Sequence, residues 1–159
     1  MAPAAQAFWD VFRATQAEDV QARFYEVCVF DDHEASANAL AELVVRGTKR
    51  GTSSLLWSFE ATGMPVPRAG HLSLVTDWDG RPRCVIETTQ VDTVPFCEVT
   101  AAFAAIEGEG DGSLDYWRSA HTAYYARECA RIGRTPDARM AVACEQFRVV
   151  FLPPQDAAG

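Results

Sequence analysis

The stretch that most limits the fold is a hairpin in the middle of the chain. Leu72-Ser73-Leu74-Val75-Thr76-Asp77-Trp78 reads as a strand, Asp79-Gly80 as its turn and Arg83 to Val91 as the returning strand. An antiparallel pair at this position breaks the regular strand–helix alternation that a doubly wound parallel sheet requires. The flanking segments are mixed. Pro3 to Thr15 has helical spacing, with Ala4, Phe8, Val11, Phe12 and Thr15 on one face and Trp9 beside it. Gln16 to Gln21 is a polar connection. Arg23 to Phe30 is rich in strand formers and reads as a short strand or an extended segment.

Asp31-Asp32-His33-Glu34 looks like a helix start, and Ala37, Leu40, Ala41, Val44 and Val45 form the buried stripe of that helix. Gly47 suits its C-terminal cap. Thr52 to Glu60 fits a buried strand or a short helix, and Thr62 to Pro67 interrupts regular structure. Val94-Pro95-Phe96 extends away from the hairpin. Thr100 opens a short helix through Ile106, followed by the acidic, glycine-rich loop Glu107 to Gly112. Asp111 or Ser113 caps a long helix running to about Ile132, which Gly133 ends. A last strand covers Ala143 to Phe151. The expected fold class is α+β, a small mixed β-barrel or curved sheet with flanking helices. Residues 1–22 are expected to form an N-terminal helix and connection packed on a domain of residues 23–152, with 153–159 expected as a disordered tail.

Composition narrows the function. The formal net charge of -8 argues against wrapping a long nucleic acid and favours a small, weakly charged ligand such as a nucleoside. No apolar run approaches the roughly 20 residues of a membrane span, and the N-terminus has no signal-peptide pattern, so a cytoplasmic protein is expected. The cysteines, 28, 84, 97, 129 and 144, are odd in number and lack a CxxC pair. Free, mostly buried thiols are expected, with neither a disulfide framework nor a zinc site.

One residue stands out chemically. Lys49 is the only lysine, against 13 arginines. Arginine stays ionised, whereas the lysine amine loses its proton readily on burial and can act as a base or nucleophile. Lys49 lies between Gly47 and Gly51 and three residues before Thr52-Ser53. The acidic loop offers Glu107, Glu109 and Asp111, any of which could turn inward as a general acid or base; it does not meet the EF-hand pattern. On the long helix Leu114, Trp117, His121, Tyr124 and Glu128 share a face, either as a core stripe or with Trp117 or Tyr124 stacked on a planar base. His33 and His71 have no partner at metal-ligand spacing. Neither a GxSxG elbow nor a P-loop is present.

A series of motifs runs along the chain: Phe30-Asp31-Asp32; Gly47-x-Lys49-x-x-Thr52; Pro65-x-Pro67-x-x-Gly70; Cys84-Val85-Ile86; Val94-Pro95-Phe96-x-x-Val99; the run from Ala104 through Glu107-Gly108-Glu109-Gly110-Asp111-x-Ser113-Leu114-x-x-Trp117 to His121; and Cys144-Glu145-x-Phe147. Taken together they resemble those of the ASCH domain family, including its small bacterial members. The resemblance implies a PUA-like fold with a cleft on one side, and nucleoside or RNA chemistry. It implies amide hydrolysis of an acylated cytidine-type nucleoside, with Lys49, Thr52 and Glu107 catalytic and Glu109 as the alternative acid. Ser53, Glu109, Trp117, His121 and Tyr124 are the expected substrate contacts. No cofactor is expected for that chemistry. The alternatives are a metal-dependent ribonuclease, with a divalent ion on Glu107 or Asp111, and a non-catalytic RNA-binding module. The expected partner is a small nucleoside or single-stranded RNA, with no membrane.

Overall fold

A computed structural model describes residues 1–154. The elements in chain order are α1 (Pro3–Ala14), β1 (Phe24–Cys28), α2 (Glu34–Val45), β2 (Gly51–Leu55), α3 (Leu56–Thr62), β3 (Leu72–Thr76), β4 (Pro82–Pro95), α4 (Ala101–Glu107), α5 (Leu114–Ile132) and β5 (Ala141–Phe151). The five strands form one mixed sheet in the order β1-β3-β4-β5-β2. Only β1 and β3 pair in parallel; the other neighbours are antiparallel. The segment that allowed a strand or a helix contains both, β2 followed directly by α3. The proposed tail falls mainly on 155–159, outside the described residues.

The sheet is covered on both faces. Along β3, Leu72 and Leu74 meet α1, whereas Val75 meets the α2 side, so all five residues of this inner strand are buried. The face of α1 differs from the expected one. Ala5, Trp9 and Phe12 are buried and Val11 is 49% exposed. The indole decides the rotation: Trp9 packs edge-on against Phe24 at 4.9 Å and donates Nε1–H to Gln21 Oε1 at 2.7 Å. Burying the largest side chain outweighs an otherwise suitable valine.

β4 also departs from expectation. It does not leave the sheet at Val94 but pairs with β5 to the register Pro95↔Ala141. Irregularities between Val85 and Ile86 and between Thr88 and Gln90 bend the long strand. The sheet curves enough that its two edge strands, β1 and β2, line one cavity together with Ser73, Ile86 and Glu145 from the strands between them.

The Lys49 segment is fastened from three sides. At the end of α2, Gly47 is left-handed (φ 78°), and the N–H groups of Thr48 and Lys49 both donate to the Leu43 carbonyl. Arg50 N–H donates to Ile106 O at 2.9 Å, and Phe147 N–H donates to Arg50 O at 3.0 Å. Gly108, just past α4, closes the contact: it is left-handed (φ 65°), and a Cβ there would lie 2.2 Å from Thr48 O. Glycine is required both for the backbone angle and for the close approach.

This predicts a graded effect. Gly112→Ala, at a left-handed residue with open space around it, should lower stability by about 1 kcal/mol. Gly108→Ala should lower it by about 2 kcal/mol more, because the added methyl also pushes the Thr48–Lys49 backbone off α4. Urea unfolding midpoints of the two variants check this.

Candidate functional site

The cavity has a volume of about 210 Å³ and lies between the curved sheet, α2 and α5. That is below the roughly 300–1,000 Å³ of drug-sized pockets and is the scale of a single heterocycle. Its wall carries the carboxyl groups of Glu26, Asp31, Glu107, Glu109 and Glu145, but no lysine or arginine.

Lys49 lies directly behind that wall. Its side chain is 1% exposed. Nζ donates to Gly51 O at 2.6 Å and lies 3.1 Å from Glu107 Oε1 and 3.2 Å from Glu109 Oε1. The Phe30 ring lies 5.3 Å away on another side. An ammonium has three N–H bonds, and here three oxygens surround it. Burial alone pulls the lysine pKa down, but the charges of Glu107 and Glu109 outweigh it and hold the amine above its ordinary range. The amine expected as a free base is therefore an ammonium in this structure. Sequence alone could not count the carboxylates that would meet it.

Glu107, the last residue of α4, is the centre of the network. Its Oε2 accepts from Ser53 Oγ at 2.9 Å and from Trp117 Nε1. Ser53 Oγ in turn accepts from Tyr125 O–H at 3.1 Å. His121 Nδ1 lies 2.8 Å from the Trp117 carbonyl, which can only accept, so the proton sits on Nδ1. The other nitrogen, Nε2, faces Glu107 Oε2 at 3.7 Å. Burial pushes the Glu107 carboxyl up, but Lys49, His121 and the Trp117 donor outweigh it and hold the group below the usual range. Glu107 is thus ionised, buried and fully partnered, with one edge on the cavity.

The expected contacts divide into two sets. Thr52, Ser53, Glu109, His121 and Tyr124 line the cavity together with Glu107. Trp117 does not: its ring is packed between Phe96 at 5.5 Å and His121 at 4.2 Å, and it supports Glu107 from behind. It has no free face on which a base could stack. Thr52 makes no side-chain hydrogen bond among the described residues, and pairs across the sheet with Glu145 while Ser53 pairs with Cys144. The hydroxyl joined to Glu107 is therefore that of Ser53. Asp111 is exposed and caps its own loop by accepting from Ser113 N–H.

Three groups escaped the sequence reading. Tyr125 belongs to the stripe Trp117, His121, Tyr125, Cys129, which keeps a strict four-residue step. That spacing is present in the sequence beside the chosen set ending in Tyr124 and Glu128. Glu26 and Glu145 are carboxylates inside β1 and β5; strand alternation is the only signal for Glu26, and Glu145 stands in the Cys144-Glu145-x-Phe147 motif without a role. Burial raises the Glu26 carboxyl to about 7, with the Glu145 charge adding to it. Burial likewise raises Glu145, against the opposing effects of a Thr88 hydrogen bond and the Lys49 charge.

Among the described residues, two sets of side chains are close enough to share a metal ion, Asp31, Asp32 and His33, and Glu107, Glu109 and His121. In the first, Asp32 is already held by Arg127 and Arg131 at 2.9 and 3.1 Å. In the second, the Lys49 ammonium fills the position between the two glutamates. The cysteines are free thiols, as expected, three of them buried and Cys97 exposed. No helix among the described residues is long and apolar enough to cross a membrane.

Comparison with known proteins gives the class. Residues 26–151 match the family model of the ASCH domain. The crystal structure of an ASCH domain from Lactobacillus crispatus superposes with a TM-score of 0.88 at 36% identity, covering 95% of this chain and 96% of that one. A protein of Enterococcus faecalis superposes with a TM-score of 0.85 at 29% identity, covering 96% and 91%. No curated protein matches significantly. The chain belongs to the ASCH domain family, and its fold is the mixed α+β, PUA-like architecture of that family. ASCH domains are RNA-associated as a family.

Two outcomes follow from the buried charges. Lys49→Met should destabilise the protein by about 3–5 kcal/mol, because Glu107 would remain buried without its partner. The double variant Lys49→Met/Glu107→Gln should recover part of that loss in urea unfolding. At Glu26 the folded pKa is raised, so the folded state holds a proton that the unfolded chain releases earlier. Its contribution is present below the unfolded carboxyl range and is lost as pH rises to about 7. Glu26→Gln should therefore leave Tm unchanged at pH 4.5 and raise it at pH 8, measured by thermal melts across pH.

Proposed function

We propose that the cavity hydrolyses a small acyl amide on the exocyclic nitrogen of a cytidine-type nucleoside, free or within single-stranded RNA. The observation that supports this best is an ionised, buried Glu107 that faces a heterocycle-sized cavity beside the Thr52 and Ser53 hydroxyls. The RNA association of the family points to the same class of ligand.

In this reading a Thr52 hydroxyl or a water attacks the acyl carbon, and its proton passes to Glu107. The C–N bond breaks, and Glu107 returns the proton to the leaving amine. If Thr52 attacks, the resulting acyl ester is hydrolysed by water along the same route. Lys49 enters as a positioning residue. Its protonated amine holds Glu107 and Glu109 in place and balances their charge. His121 presents Nε2 to the same carboxylate oxygen and stands within reach of a developing charge. This differs from the free-base role that the sequence suggested for Lys49, and it follows from the two carboxylates around Nζ.

Non-catalytic binding of single-stranded RNA is the second reading. Tyr124 lines the cavity, and the Arg127 and Arg131 guanidinium groups lie 5.6 and 5.9 Å from its ring centre. Those arginines also pair with Asp32, which lowers their availability to phosphate.

The test is incubation of the purified chain with N(4)-acetylcytidine and related acylated nucleosides, with acetate and cytidine followed by mass. Glu107→Gln should lower kcat by at least about 10²-fold, the range of general acid–base groups. Thr52→Ala separates the two nucleophiles, since full activity assigns the attack to water. Salt-sensitive RNA binding without turnover of any acylated nucleoside would replace hydrolysis with the second reading.

A further inference from the structure

Three carboxyl groups of the cavity take no part in the Lys49 network, and of these Asp31 has Arg127 at 3.9 Å while, among the described residues, Glu26 and Glu145 have no such partner. Glu26 points from β1 beside Ser73, its register partner on β3. Glu145 points from β5 and accepts from Thr88 Oγ1 at 2.6 Å. Among the described residues neither has a cation within ion-pair distance, and the Glu26 carboxyl makes no hydrogen bond. Elsewhere the chain supplies arginine to its half-buried acids: Arg23 and Arg148 to Glu87, Arg83 to Glu42, Arg127 to Asp32. Two carboxyl groups sharing an enclosed wall without a cation are costly to the fold, and local conflicts of this kind concentrate at functional sites.

We propose that Glu26 and Glu145 are the specificity-determining pair of this cavity and read the hydrogen-bonding edge of an aminopyrimidine-type base. The inference rests on the nucleoside reading of the cavity but not on hydrolysis. Like charges facing one cavity cannot both ionise without cost, and burial pushes both carboxyls up, which favours holding a proton on the pair. Around them stand Tyr25 and Cys28 on β1, Ser73 on β3, Thr88 on β4 and Lys49 behind the wall, and the same cavity also carries Asp31, Thr52, Glu107, Glu109 and His121. Lys49 is committed to Glu107 and Glu109.

A carboxylic acid beside a carboxylate offers one O–H donor and several acceptors. A cytosine-type edge offers the complement, an amino N–H donor beside a ring-nitrogen acceptor. A uracil-type edge places a carbonyl where the amino group was, facing the lone pairs of a carboxylate. A site built to hydrogen-bond one edge rejects the other because its own polar groups are left unpaired. The same acidic wall disfavours a phosphate inside the cavity, so any phosphate on the ligand must lie outside it.

The experiment is calorimetric titration of the full chain with cytidine and with uridine at pH 7, and of Glu26→Gln and Glu145→Gln in parallel. Thermal melts establish that each variant is folded. The wild type should prefer cytidine by about 10-fold or more, the scale of one well-placed pair of base contacts. Glu145→Gln should bring the two nucleosides within about 3-fold of each other, since an amide puts a donor where the carboxylate accepts, whereas Glu26→Gln mimics a protonated acid and should keep most of the preference. Equal binding of the two nucleosides to the wild type overturns the proposal. So does binding of neither, or a preference that both folded variants retain. The hydrolase reading fails or stands separately. A chain that prefers cytidine through these residues yet turns over no acylated nucleoside keeps the recognition pair and loses the hydrolase. Turnover with an unchanged preference in both variants does the reverse.

Discussion

A single buried ammonium organises this molecule. Lys49 Nζ sits among Gly51 O, Glu107 Oε1 and Glu109 Oε1 and joins the end of α2, the start of β2, the end of α4 and the loop that follows it. Removing two carboxylates and an amine from water is costly, and only close geometry with every hydrogen bond made offsets that cost. The chain meets the condition with backbone as well as side chains. The Leu43 carbonyl, the Ile106 carbonyl and the absent side chain of Gly108 hold the backbone of the segment independently of the Lys49 side chain. A glutamate that would otherwise protonate in such a place is held ionised.

The second constraint is curvature. β4 pairs with β3 over its first half and with β5 along most of its length, and its irregularities bend it between the two. A flat sheet of the same order would hold β1 and β2 at opposite edges. Bent, it brings Glu26 of one edge and Thr52 of the other to the same space. The result is an asymmetric cavity. One side has a fully partnered carboxylate backed by Lys49, and the other has two carboxyl groups without a counter-ion. That asymmetry favours a neutral ligand with N–H donors over a phosphate, in keeping with the net charge of -8.

Much of this was legible in the residues. The Asp79-Gly80 turn, the Ser113 cap and the glycine stops at 47 and 133 are local chemistry, and the structure has each where the sequence places it. The Gly-x-Lys-x-x-Thr frame and the acidic run marked the family. Rotation about a helix was harder to read, because it depends on what lies opposite. Trp9 turned α1 away from Val11, and Tyr125 rather than Tyr124 reached the core of α5. In both cases a four-residue step and a three-residue step were equally compatible with the pattern.

The sequence by itself determined the fold class, the family and the identity of the unusual residue. These depend on local propensity, on turn chemistry and on one lysine among many arginines. Only the tertiary structure decided the charge state of that lysine. A pKa is set by burial and by neighbours 58 and 60 positions away in the chain, whose approach no local pattern encodes. The same holds for Trp117, which became a support behind Glu107 instead of a stacking surface. It holds too for Glu26 and Glu145, which share a wall only because the sheet between them bends.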